Sequence, residues 1–115
     1  MSRPGPDVPG VLPFGPAFIM VAGTRWWASD EFVGLLVDLE VSDGRSAGAL
    51  CFASKGSGVV LDTEHPWCVD GQERLRAYMY ECGVNAMVAQ DAMDDLVDTL
   101  RELLAEVRVP DDLAP

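Results

Sequence analysis

Lysine is almost missing from this chain: Lys55 stands beside seven arginines and faces nineteen Asp and Glu, leaving a formal net charge of -11 at pH 7. A surface so poor in positive charge offers no electrostatic footprint for nucleic-acid phosphates or an anionic membrane, and its natural complement is a basic protein surface. Histidine is reduced to His65, which leaves a single imidazole to act as base or metal ligand. Cysteine is sparse and odd in number, Cys51, Cys68 and Cys82, with no CxxC pair. That pattern excludes a disulfide framework and fits a reducing compartment, read here as cytoplasm. Long apolar runs are absent too. The longest, residues 17–22, is far too short to span a bilayer, and no basic region leading into an apolar stretch marks the N-terminus for export. One lysine among abundant Ala, Val, Gly and Asp matches the codon usage of a GC-rich bacterium or its phage.

What is present is organised around residues 91–107. At helical spacing, Ala89, Ala92, Met93, Leu96, Val97, Leu100, Leu103, Leu104 and Val107 share one face, as in a helix lying on a core. Leu100, near the middle of that face, is expected to be fully buried. Asp91, Asp94, Asp95, Asp98, Glu102 and Glu106 take the other face. Acids in the first turn suit the macrodipole, and Pro110 stops the helix. Eight acids and two arginines in residues 91–112 place a net -6 of the -11 in the last fifth of the chain.

The chain divides into a tail at 1–16, one domain at 17–109 and a short acidic tail at 110–115. Five of the eight prolines and three glycines fall in residues 1–16, a composition of disordered or extended chain whose removal should leave stability unchanged. Residues 17–22 read as a short buried strand ended by Gly23-Thr24, and residues 25–28 as a second strand, with Trp26 and Trp27 on opposite faces. Residues 29–31 could cap a helix, but the alternation from Val33 to Val41 is strand grammar. Ser42-Asp43-Gly44-Arg45 turns the chain into a returning strand at 47–53. Residues 54–58 form a flexible loop, 59–63 another strand, and 64–68 a loop around Pro66. Over 73–82 the alternation of Leu75, Ala77 and Met79 with Arg76, Tyr78 and Tyr80 competes with helical spacing, and aromatic enrichment selects the strand. The expected fold is α+β: a mostly antiparallel sheet of five to six strands packed against one C-terminal amphipathic helix.

No catalytic set emerges, so the chain is read as non-enzymatic and without cofactor. His65 and Cys68 make one local metal-ligand pair where zinc usually needs two, and a Cys nucleophile would have only His65 as its base. The 54–58 loop has the composition of a phosphate cradle but neither its spacing nor a following helix. The candidate partner-binding residues are therefore the acids Asp91, Asp94, Asp95, Asp98, Glu102 and Glu106 and the aromatics Trp26, Trp27, Tyr78 and Tyr80. They define a small acidic binding protein of inhibitor, immunity or modulator type, with monomer and homodimer equally open. The alternatives are a ligand- or zinc-binding module at the His65/Cys68 loop, and a domain whose acidity serves only solubility.

Overall fold

A computed structural model describes residues 2–30, 32–56 and 58–113. Met1, Glu31, Ser57, Ala114 and Pro115 lie outside the described residues, and with them parts of the expected 29–31 cap, the 54–58 loop and the C-terminal tail. Six strands precede two helices: β1 (Ser2–Pro4), β2 (Val11–Phe14), β3 (Ala17–Ala28), β4 (Val33–Glu40), β5 (Ser46–Lys55), β6 (Gly58–Leu61), α1 (Pro66–Glu81) and α2 (Ala86–Leu103). The α+β class and the antiparallel sheet are as the sequence implies. The single helix is not, because residues 66–81 form a second one.

The β4–β5 hairpin lies at the centre, with order β1-β3-β4-β5-β6 and β2 also on β3. Leu35, Leu36, Val37, Leu50, Cys51 and Phe52 are all buried, so alternate residues on both sheet faces are covered. One face carries Leu12, Ile19, Trp26, Leu35, Leu39, Leu50 and Phe52, and α2 packs there through Ala89, Met93, Leu96 and Leu100, the last 0% exposed. The two short strands expected at 17–22 and 25–28 are one long strand. A register shift between Val21 and Gly23 accommodates an extra residue without breaking the pairing to β4, so Gly23-Thr24 bends the strand where a terminator was expected.

The expected N-terminal tail also differs. β1 and β2 both pair antiparallel with the outer edge of β3, Arg3 opposite Trp26 and Leu12 opposite Ile19. Between them the Gly5 amide donates to the Thr24 carbonyl and the Val21 amide to the Gly10 carbonyl, so residues 2–14 act as one interrupted edge strand. Proline is compatible with that place because an edge residue can turn its nitrogen to solvent. Prolines and glycines thus limit the edge rather than prevent pairing. The C-terminal segment is anchored as well: Leu104, Val109 and Leu113 are buried, and Arg3 pairs with Asp112.

The strand expected at 73–82 is helical because its start lies upstream, in what reads as a loop. His65 is the N-cap, its ring nitrogen accepting from the Trp67 amide at 3.3 Å, and Pro66 occupies the first turn, where no amide hydrogen is needed. Cys68, Leu75 and Met79 then point inward. α1 lies against β5, and Gly71 makes the approach possible, since a Cβ there would sit 2.3 Å from the Ala49 carbonyl oxygen.

Gly71→Ala should therefore destabilise the protein. Helix propensity favours alanine by about 1 kcal/mol, but the clash with rigid backbone costs about 1–3 kcal/mol or more. Gly10→Ala, with nothing within 4 Å of the added carbon, serves as the control in urea unfolding. Deleting residues 2–13 takes Leu12 from the core and strips the outer edge of β3. The loss should be at least about 2 kcal/mol, a fall of roughly 10 °C in Tm for a domain of this size. An unchanged midpoint would mean that the paired segment contributes nothing.

Candidate functional site at the acidic helix face

The outer face of α2 carries the acids as the periodicity implies, but its ends are set differently. Asn85 is the N-cap, its side-chain oxygen accepting from the Val88 amide at 2.9 Å, so the helix begins before Asp91 and has no acid in its first turn. The favourable macrodipole expected for Asp91 is consequently lost, because the effect fades beyond one turn. At the other end Leu104 is the C-cap, which leaves Glu106 and Val107 outside the helix. Within α2, Asp91 faces Asp95, Asp94 faces Asp98, and Asp98 faces Glu102, three like-charged pairs four residues apart. Together they cost roughly 0.6–1.5 kcal/mol before screening. Two contacts soften this: Gln90 Nε2 donates to Asp94 at 2.9 Å, and Arg101 approaches Asp98 at 3.4 Å. All these acids are exposed.

Beside the acids a groove of about 430 Å³ opens between α2, α1 and the end of β6. Leu61, Met93 and Val97 provide its apolar surface, and Asp94, Asp98 and Arg101 its charged side. The groove exists because α1 is a helix, and so the strand reading of 73–82 concealed it.

The aromatics do not converge. Trp26 is 5% exposed and belongs to the core. Trp27 is half-buried on the opposite sheet face, edge-on to Trp67 with ring centroids 5.5 Å apart. Tyr78 donates to or accepts from Ser42 at 2.8 Å, while Tyr80 is 50% exposed. Because Trp67 and Tyr78 are eleven residues apart on α1, the two aromatic pairs are separated by roughly 16 Å of helix. At the Tyr78 end Arg45 joins the hairpin turn to α1, and its guanidinium holds the Glu81 carboxyl below the ordinary carboxylate range. Asp43 is lowered too, first by the Arg45 backbone amide. Such exposed pairs contribute little stability.

His65 and Cys68 do lie near each other, with Cys51 as the third member. Cys51 Sγ is 3.6 Å from His65 Nδ1, the same nitrogen that caps α1. Phe32 and Trp67 flank the imidazole, with ring centroids at 4.6 and 5.2 Å. Burial pushes the Cys51 thiol up from 9.0 to about 12, the nearby Cys68 adding to it, and burial also raises Cys68. Both sulfurs are thus protonated thiols at neutral pH and poor nucleophiles. Among the described residues no group of three or more His, Cys, Asp or Glu is placed to hold a metal ion. Comparison with protein-family models, curated proteins and solved structures returned no match.

The thiol environments can be read chemically. Iodoacetamide at mildly alkaline pH should alkylate exposed Cys82 in the native protein and spare buried Cys51 and Cys68, whereas all three react in urea. Because the fold raises the Cys51 pKa, its contribution to stability is complete below about 9 and is lost as pH climbs through about 12. Rapid native alkylation of Cys51, counted by mass spectrometry of the intact protein, would refute this burial.

Proposed function

We propose that this protein is a small non-enzymatic binding protein, of inhibitor, immunity or modulator type, that presents the acidic face of α2 to a basic surface on another macromolecule. It acts in the cytoplasm of a bacterium or in a phage-infected cell. What carries the reading is the unbroken row Asp94, Asp98 and Glu102 on the exposed side of α2, next to a groove with both apolar and charged walls. Like charges at this spacing weaken the helix that bears them, and a face shaped only for solubility would interleave lysines. A local rule broken without structural return is expected where a surface serves a partner. Two further features support the reading. No helix among the described residues is long and apolar enough to cross a membrane. The charge of -11 favours encounter with a basic partner and opposes encounter with polyanions.

The experiment is the double substitution Asp98→Asn with Glu102→Gln. It should raise stability slightly, most at low salt where the Debye length is long, and should slow association with the partner captured from the source cell severalfold. Dissociation should change less, because rim charges act mainly on encounter. If the variant is more stable yet associates at the wild-type rate and affinity, the acids only solvate α2.

A further inference from the structure

We infer that the partner engages as an extended basic segment, adding a strand to the free edge of β6 and laying alternate Arg or Lys side chains in the groove below α2. This rests on the binding function proposed above and specifies how the acidic face is used. The first observation is the state of the two sheet edges. On the β3 side the outermost chain carries Pro4 and Pro13 and breaks between residues 5 and 10, features that discourage further pairing. β6, at the other end of the strand order, is Gly58-Val59-Val60-Leu61, with no proline and no charge.

The second observation is which groups that edge offers. The Asp62 amide donates to the Cys51 carbonyl at 2.8 Å, and Phe52 stands opposite Leu61. Bonded and non-bonded pairs alternate along an antiparallel ladder, so the amide and carbonyl of Val60 turn toward β5 and those of Val59 and Leu61 turn outward. An added strand would meet those outward groups. On the same face, Leu61 lines the groove with Met93, Val97, Asp94 and Asp98, and with Arg101, which already stands 3.4 Å from Asp98 and leaves Asp94 as the carboxylate more open to an incoming cation. Every second side chain of the added strand would enter it. An Arg or Lys fits there because its methylene stem covers apolar surface while its charged head reaches a carboxylate. A second copy of this chain fits poorly, since it would bring another net -11 to the same rim.

The test uses the full-length protein and short fluorescent peptides: one of alternating arginine and valine, the same peptide N-methylated at alternate backbone positions in each of the two phases, and a basic helix-forming peptide of equal charge. The Arg-Val peptide should bind, more weakly at high salt, and should shift the amide resonances of Val59 and Leu61. N-methylation in one phase should weaken it by roughly tenfold or more, because main-chain hydrogen bonds supply much of the affinity of an added strand. Val59→Pro, which removes an outward donor and no ladder bond, should do the same, and the helical peptide should bind less well. Asp94→Asn with Asp98→Asn should weaken the Arg-Val peptide. If neither N-methylated peptide nor Val59→Pro matters while the double Asn variant still weakens binding, the strand inference falls and the acidic-face reading stands. If the peptide binds regardless of Asp94 and Asp98, the acidic face itself is not the recognition element. Failure of the Arg-Val peptide to bind at all, or dimerisation of the protein through β6, would overturn the strand inference outright.

Discussion

The approach of α1 to the bare backbone of β5 is the constraint on which the rest of the structure depends. β6 pairs only with residues 52–55 of β5, so the first half of that strand would otherwise end the sheet with unpaired backbone. α1 occupies this position, and it can do so only because Gly71 has no Cβ to strike the Ala49 carbonyl. A helix placed there brings Cys68 beside Cys51, Trp67 beside Trp27 and Met79 toward the β2–β3 turn at Gly15. The cap at His65 belongs to the same constraint, since it fixes where the helix starts and therefore which of its faces meets β5.

That dependence explains why the fold was partly legible. The β4–β5 hairpin is written in local alternation with a Gly-containing turn, and α2 in a long apolar stripe, so both follow from sequence neighbours alone. Residues 66–81 carry weaker local information: their outward side is mixed, their inward side is Cys68, Gly71, Leu75 and Met79, and a glycine mid-helix looks like a break. The information that decides the matter is the contact with Ala49, some twenty residues upstream, which no periodicity expresses. The N-terminal strands escaped for the opposite reason. Their prolines and glycines argue against a central strand, but an edge tolerates them, and the partner that organises them is the whole length of β3.

The candidate site shows the same division. The exposed acids of α2 follow from its stripe, because the face opposite an apolar arc must be outside. The scattering of the aromatics does not, since strand alternation says that one of two adjacent indoles is buried but not which, and Tyr78 and Tyr80 follow the helical period of α1 although their spacing alternates like a strand. Nor could spacing distinguish His65 and Cys68 as reactive from His65 as a helix cap. Geometry shows the cap: one ring nitrogen is engaged by the Trp67 amide, and burial raises both neighbouring thiols.

The helical state of residues 66–81 also governs what surface remains for a partner. As a strand, that segment could have continued the sheet past β5 and β6, and the acidic helix would have stood over a closed surface. As a helix it stops beside the first half of β5 and leaves β6 as the terminal strand, with Leu61 facing the flank of α2. The polar side of α2 and the free edge of β6 thereby border one groove, although neither was placed by the other. Destabilising carboxylate pairs on α2 and an unblunted edge on β6 each run against the stability and solubility of an isolated domain. On the binding reading proposed above, one occupant would neutralise the carboxylates and complete the ladder, and a basic extended chain has the charge and the backbone groups to do both.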